Sequence, residues 1–175
     1  MSSDLESTIP WQVSKAAEEY GALLNPVALR LTLNLYRTMA DFDRASTMEL
    51  APYGMTVSQF NILTVLHRAT SPLTMGELSE AVSVRPANLT SVIDTMVKRS
   101  LVERRTNPSD RRSYLVTKTA KAEDFLVEFL PSHWKYLESL TAELCNEECD
   151  RLSDLLHRLD QSVKSVLEGN VRHAS

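Results

Sequence analysis

Two adjacent arginines, Arg111 and Arg112, follow a turn between two short runs of β-forming residues. The turn at 107–110 reads Asn-Pro-Ser-Asp, in which proline presets φ and the polar side chains bond to the local backbone. Because the flanking runs 101–106 and 113–117 are short and β-branched, the sequence predicts a hairpin. Guanidinium groups at a hairpin tip suit contact with phosphate or with a minor groove. Taken alone, such a turn is better explained as a solvated surface loop; the preceding segment favours the first interpretation.

The segment before the hairpin carries the signals of two short helices joined by a tight turn. Thr74 and Glu77 form a capping box, which predicts a helix that begins at Met75. After a short break, Pro86 suits the first turn of a second helix. Apolar residues of this second helix repeat at helical spacing and are expected to face inward: Leu89, Val92, Ile93 and Met96.

The outer face of the second helix is dominated by small, hydroxyl and amide side chains. Its members are Ala87, Asn88, Ser91, Asp94, Thr95 and Lys98. Such a face can lie against a major groove, where Asn reads adenine and Ser or Thr reads several bases. Two short helices followed by a β-hairpin make a winged helix-turn-helix. The expected fold is therefore mainly α, with a small β-hairpin wing and terminal helices that dimerise.

The run from about Leu50 to Ala122 resembles the MarR family of bacterial transcriptional regulators. The resemblance covers the helix-turn-helix, the link at 98–102 and the wing at 110–113. It ends at Thr119, which opens the following helix. The family's wing pattern is Asp-x-Arg, a short strand and a Leu-Thr pair. The composite pattern is specific, whereas each piece of it alone would be weak.

The resemblance implies roles for the wing residues. Arg112 is the arginine expected to enter the minor groove, and Asp110 is expected to orient its guanidinium by a charge-assisted hydrogen bond. Asp110 is also a turn former, and the two roles are compatible. Arg111 is expected to touch phosphate or to point to solvent. Lys118 stands where the family usually has leucine and Ser100 where it has glycine, so local backbone tightness is expected to differ rather than function.

The charge distribution agrees with a DNA-binding head on an acidic body. The chain has 19 basic and 23 acidic side chains, a net charge of −4. Between Arg85 and Lys121 there are nine Lys or Arg and three Asp or Glu, so this region is basic and the remainder is acidic. Such a head is steered towards phosphate, and its binding weakens as salt increases. The residues expected at the DNA are Arg85, Ala87, Asn88, Ser91, Thr95, Lys98, Asp110, Arg111 and Arg112.

The length of 175 residues suits one domain, or one with a second all-helical lobe, and the motif and helix signals divide the chain into three segments. They are an N-terminal extension with a dimerisation helix (1–49), the winged helix-turn-helix (50–118) and C-terminal dimerisation helices (119–175). A hydrophobic content of 43% is ample for a core. There is no run of eighteen apolar residues, and the first residues lack the features of a signal peptide. A cytoplasmic protein without a membrane span is expected.

Further helices are predicted around the head. Their expected starts are Asn25-Pro26, Thr56 with Gln59, Thr119 and Asn146. The helix that Asn25-Pro26 opens should reach about Met48, and the helix that Thr56 opens should cover 57–68. Pro131 should bend or interrupt the helix that Thr119 opens.

The last predicted helix carries a broad apolar stripe. Its members are Leu152, Leu155, Leu156, Leu159, Val163, Val166 and Leu167. So wide a stripe on a terminal helix predicts a partner surface, and intertwined terminal helices of a homodimer would bury it. The MarR family resemblance implies the same arrangement. Two heads related by a twofold axis would read a roughly palindromic operator.

The resemblance also implies a small effector, since MarR-like proteins commonly bind anionic aromatic or lipophilic compounds between the dimer helices and the head. The candidate lining residues are Trp11, Tyr36, Arg37, His67, His133 and Trp134. Each has a simpler explanation. Trp11 can pin the N-terminal extension, His67 can satisfy carbonyls at a helix C-terminus, and Trp134 suits a core or an interface.

Enzymatic chemistry finds little support in the sequence. Only four glycines occur, which is too few for a phosphate-cradling loop, and the four histidines are scattered. Neither a cofactor nor a metal is expected. Cys145 and Cys149 lie among acidic residues that disfavour thiolates, so incidental thiols are a better interpretation than a redox-sensing regulator. A winged-helix protein-interaction module without specific DNA binding is the remaining alternative.

Overall fold

The computed structural model describes residues 8–82 and 86–173, without the side chains of residues 86–88, 111 and 170–173. The expected fold class is confirmed: within these ranges the protein is mainly helical, with a small antiparallel sheet. In chain order the elements are α1 (Ile9–Tyr20), α2 (Pro26–Leu50), α3 (Val57–Arg68), β1 (Leu73–Thr74), α4 (Met75–Ala81), α5 (Pro86–Lys98), β2 (Val102–Asn107), β3 (Asp110–Lys118), α6 (Ala120–Leu140) and α7 (Asn146–His173). The chain divides after Ala122 into two compact units.

The helix starts follow the predicted caps. Thr56 Oγ1 accepts from the backbone N–H of Gln59, and Gln59 Oε1 accepts from the N–H of Thr56, both at 3.2 Å. Thr74 and Glu77 form the second capping box. The Glu77 carboxylate accepts from the backbone N–H and hydroxyl of Thr74, which holds its pKa below the usual range. Asn25 caps α2 by accepting from the first-turn amides.

Two elements of the first unit were missed from the sequence. The first is α1, whose start has a legible signal, because Thr8 caps it and Pro10 lies in its first turn. The second is β1, a strand of two residues that pairs with β3 through Leu73–Val116 and Thr74–Leu115. This pairing completes a sheet of order β1-β3-β2. A two-residue strand has no periodicity of its own, so its partner alone defines it.

The core of the first unit lies between the helix-turn-helix and the sheet. Its fully buried side chains include Ile62, Leu63, Leu78, Leu89, Ile93, Met96, Val102 and Val116. Each such burial stabilises the fold by about 1.5–3 kcal/mol relative to an exposed side chain. The predicted inward face of α5 is therefore confirmed at three positions, while Val92 is only half-buried. This packing fixes which face of α5 remains outside.

The helices α6 and α7 differ in detail from the sequence prediction. Thr119 Oγ1 accepts from the Ala122 N–H at 3.2 Å, as expected of a cap, but α6 continues through Pro131 without ending there. Asn146 is the first residue of α7 rather than its cap. The Glu148 carboxylate reaches back to the N–H of Cys145, which satisfies one of the unpaired donors at this helix start.

The second helix of the helix-turn-helix, the recognition helix α5, ends at Lys98, and the turn after it contains Ser100, the residue that replaces the usual glycine. Ser100 has φ 55°, and it is the one non-glycine residue of the described ranges with a positive φ. The Ser100 N–H donates to the Val97 carbonyl, and the Leu101 N–H donates to the Met96 carbonyl, both at 2.9 Å. These two bonds form a Schellman motif, which requires a left-handed residue at this position.

Replacing Ser100 by glycine is expected to raise the free energy of unfolding by about 0.5–1 kcal/mol. A left-handed conformation costs an L-residue about 1–2 kcal/mol, and the greater entropy lost by glycine offsets about half of this. Urea unfolding of the two proteins would measure the difference. Ser91→Gly, in the helical interior of α5, is the matched control and should destabilise. A Ser100→Gly variant that is less stable than the wild type would refute the strain argument.

Candidate nucleic-acid interface

The recognition helix α5 presents a polar face to solvent. Leu89, Ile93 and Met96 are buried on one side, and the side chains of Ser91, Thr95 and Lys98 are exposed on the other. The Thr95 hydroxyl donates to the Ser91 carbonyl at 3.0 Å, which leaves its oxygen able to accept from a base-edge donor. Of the other residues predicted for this face, Arg85 lies outside the described residues, as do the side chains of Ala87 and Asn88.

The wing is a longer hairpin than the sequence predicts. The strands β2 and β3 pair from Val102–Lys118 to Asn107–Asp110, so Pro108 and Ser109 alone form the loop. The Asn107 side chain accepts from the Ser109 N–H at 3.0 Å, as an Asx turn does. Consequently Arg112 lies on a strand rather than in a loop.

In this structure the Asp110 carboxylate forms a hydrogen bond with the main chain rather than with a side chain. Its Oδ1 accepts from the Arg112 N–H at 3.0 Å, whereas the family resemblance implies a bond to the Arg112 guanidinium. The Arg112 side chain is exposed, and the side chain of Arg111 is not described. Asp110 thereby shapes the start of β3 and positions Arg112 through the main chain.

A salt bridge links the recognition helix to the wing. Arg104 of β2 lies 3.0 Å from the Asp94 carboxylate of α5, and its guanidinium lies 4.8 Å from the centre of the Tyr114 ring. Tyr114 and Val116, which both lie in the regularly paired part of β3, share one face of the strand. Arg112 lies two residues before Tyr114 on β3, where the register with β2 shifts. The sequence placed Asp94 on the outer face but gave no indication of this partner.

Several cations of the basic head are engaged within the protein. The Arg105 guanidinium lies 2.7 Å from the Glu103 carboxylate, and Arg104 is held by Asp94. Arg99 donates to backbone carbonyls, and Lys121 Nζ donates to the Arg99 carbonyl at 3.0 Å. Their positive charge remains, but their geometry is fixed by the fold.

The candidate effector residues are distributed over both units. Trp11, Tyr36 and Arg37 lie on α1 and α2 with exposed side chains, and His67 lies half-buried in the last turn of α3. His133 and Trp134 lie on α6, where His133 is buried and their ring centres are 5.2 Å apart. His133 also stacks on Phe129, with a centroid distance of 5.5 Å. These contacts account for His133 as local packing, whereas Trp134 remains 42% exposed.

The cysteines are free thiols at the start of α7. Cys145 is exposed and Cys149 is half-buried. Backbone hydrogen bonds lower the pKa of both Glu147 and Glu148, so these carboxylates stay charged beside the thiols. Negative surroundings disfavour a thiolate, which agrees with the sequence interpretation.

The described residues offer neither a metal centre nor a membrane-spanning helix. These ranges hold no group of three or more His, Cys, Asp or Glu side chains suited to a metal ion. None of their helices combines the length and apolar character that crossing a membrane requires.

A buried helix-turn-helix core, a polar recognition helix and a basic hairpin define a winged helix-turn-helix protein. A profile of the MarR family matches residues 55–114. The chain is 27% identical over 152 residues to the HTH-type transcriptional repressor YetL of Bacillus subtilis, covering 84% of this chain and 90% of YetL. It is 30% identical over 115 residues to the uncharacterized HTH-type transcriptional regulator YsmB of the same bacterium, covering 66% of this chain and 78% of YsmB.

Solved structures give the same assignment. A mutant MarR from E. coli, complexed with operator DNA, superposes with a TM-score of 0.68 at 28% identity, covering 74% of this chain and 92% of that chain. The chain belongs to the MarR family and is a DNA-binding transcriptional regulator. Members of this family are regulators of transcription, not enzymes.

Proposed function

We propose that this protein is a cytoplasmic repressor that binds a pseudo-palindromic operator as a homodimer and releases it when a small effector binds. The observation that carries the proposal is the division of α5 into a buried apolar face and an exposed face with Ser91, Thr95 and Lys98. Hydroxyl and ammonium groups on a groove-sized helix can reach base edges and phosphates. Arg112 on the adjoining wing supplies a cation for the minor groove.

Support for the homodimer comes from apolar faces that the single chain leaves exposed. On α7, Leu155 is 49% exposed and Val166 is 63% exposed. On α2, Val27, Leu31 and Met39 are each more than half exposed. Contiguous apolar faces of this kind mark interaction surfaces, and the twofold axis of a homodimer would give two heads for two operator half-sites.

The effector response rests on the family resemblance and on linkage. An anionic or aromatic compound that binds one spacing of the two heads better than another shifts the population towards that spacing. If the favoured spacing does not match successive major grooves, operator affinity falls. The candidate lining residues remain Trp11, Tyr36, Arg37, His67, His133 and Trp134.

The test is fluorescence anisotropy with a duplex that the wild-type protein selects from a random-sequence library. The duplex and a scrambled version of it are titrated at two salt concentrations. We expect tight binding to the selected duplex, with a steep loss of affinity as salt increases. Equal, weak binding to both duplexes would instead favour a winged-helix protein-interaction module with a merely basic head.

A further inference from the structure

The Arg99 side chain connects three helix ends. Its Nη1 donates to the Gly54 carbonyl at 2.7 Å and to Gln59 Oε1 at 3.0 Å, and its Nη2 donates to the Tyr53 carbonyl at 3.3 Å. Tyr53 and Gly54 terminate the 3-10 turn (Ala51–Tyr53) that follows α2, and Gln59 belongs to the capping box of α3. Arg99 itself follows the last residue of α5. One guanidinium therefore joins the end of α2, the start of α3 and the end of the recognition helix.

The surroundings make this connection rigid. Gly54 has φ 58°, a left-handed conformation that ends the 3-10 turn and aims its carbonyl at the guanidinium. Gln59 is buried, and its side-chain oxygen also accepts from the Thr56 N–H. The capping box therefore holds this oxygen in place independently of Arg99. A planar fork of donors matches two acceptors at set positions, which a single ammonium group does not.

The backbone of Arg99 is held from the other side. Its carbonyl accepts from Lys121 Nζ at 3.0 Å, and the Ser100 carbonyl accepts from the Thr119 hydroxyl at 2.8 Å. The recognition helix is thus fixed at its C-terminal end to α2 through the Arg99 side chain and to the start of α6 through its main chain. Both α2 and α6 flank the winged helix-turn-helix of residues 50–118.

We propose that Arg99 is a positioning residue, which sets the angle of the recognition helix relative to α2 and does not touch DNA. The inference rests on the proposed function. Because the acceptors of Arg99 are uncharged oxygens of the protein, its role is geometric rather than electrostatic. Removing it leaves the base-reading face intact but turns that face out of register with the groove.

The variants Arg99→Gln and Arg99→Lys test the proposal on the selected duplex and on its scrambled version. Both are expected to lose about tenfold in affinity for the selected duplex, the effect of misaligning one good base contact. Affinity for the scrambled duplex and the slope of log K against log salt should stay at wild-type values. Arg105→Gln, at an exposed arginine of the hairpin, is the charge control and should keep the preference for the selected duplex.

A third variant separates positioning from folding. Gln59→Glu keeps a capping box with Thr56 and offers Arg99 a charged acceptor, so it should bind the selected duplex as the wild type does. Thermal unfolding of every variant shows whether the head remains folded. Folded Arg99→Lys with wild-type affinity would overturn the proposal. A salt slope reduced by about one in Arg99→Gln would also overturn it, since Arg99 would then touch phosphate. A wild-type protein without preference would refute the proposed function itself.

Discussion

Arg112→Ala is expected to lower the affinity for the selected duplex by about 5- to 150-fold, while the dimer stays intact. The loss corresponds to about 1–3 kcal/mol, the usual contribution of an arginine that contacts a groove. In the structure, Arg112 is exposed on β3 and its main chain is fixed by the Asp110 carboxylate. Arg112 and α7 belong to different compact units, so dimerisation through α7 should not respond.

Arg105→Ala is the matched control for this prediction. Arg105 is also an exposed arginine of the same hairpin, but its guanidinium is already paired with Glu103 at 2.7 Å. Both variants remove one positive charge from the basic head. If Arg112 contacts the minor groove, its loss should cost clearly more affinity than the loss of Arg105.

Anisotropy titrations measure the affinities, and light scattering reports the oligomeric state. The salt slope should fall by about one for Arg112→Ala if the side chain displaces a counterion from the DNA. Unchanged affinity for the selected duplex would remove Arg112 from the interface. Equal losses of affinity for the two variants would show that Arg112 contributes only its positive charge and no specific contact.

Local signals in the sequence were sufficient for most helix starts. Thr56 with Gln59 and Thr74 with Glu77 predict capping boxes, and both boxes are present. These signals work because a cap depends on residues three positions apart, whose geometry the helix itself supplies. The family resemblance marks Ser100 as a position where glycine is usual, but its left-handed conformation was recognised only in the structure.

Contacts between elements were not predictable in the same way. Asp94 and Arg104 each lie on a face that periodicity identifies, but which faces meet depends on how α5 packs on the sheet. The bonds from Arg99 to Tyr53, Gly54 and Gln59 cross at least forty positions of sequence. A single basic residue in a basic region gives no local indication that its partners are uncharged carbonyls. The finer organisation of the candidate site therefore required the structure.

Deleting residues 150–175 is expected to convert the proposed dimer into monomers or aggregates and to abolish tight operator binding. The deletion removes most of α7, including the apolar stripe that is exposed in the single chain. A monomer would bind one half-site with one head and would lose the avidity that comes from two linked heads. We therefore expect operator affinity to fall by about 10²- to 10⁴-fold. Light scattering and anisotropy measure the two effects.

Point substitutions separate this effect from a loss of folding. Leu156→Glu with Val163→Glu places two charges on the apolar stripe, where both side chains are more than 40% exposed. Gln161→Glu with Ser165→Glu adds the same charge to the opposite side of α7, given 100° per residue. The first pair should dissociate the dimer and the second should not, because only the first buries carboxylates against the partner helix. A folded, dimeric first pair would show that α7 does not form the interface, and the exposed stripe on α2 would then be the surface that brings two heads together.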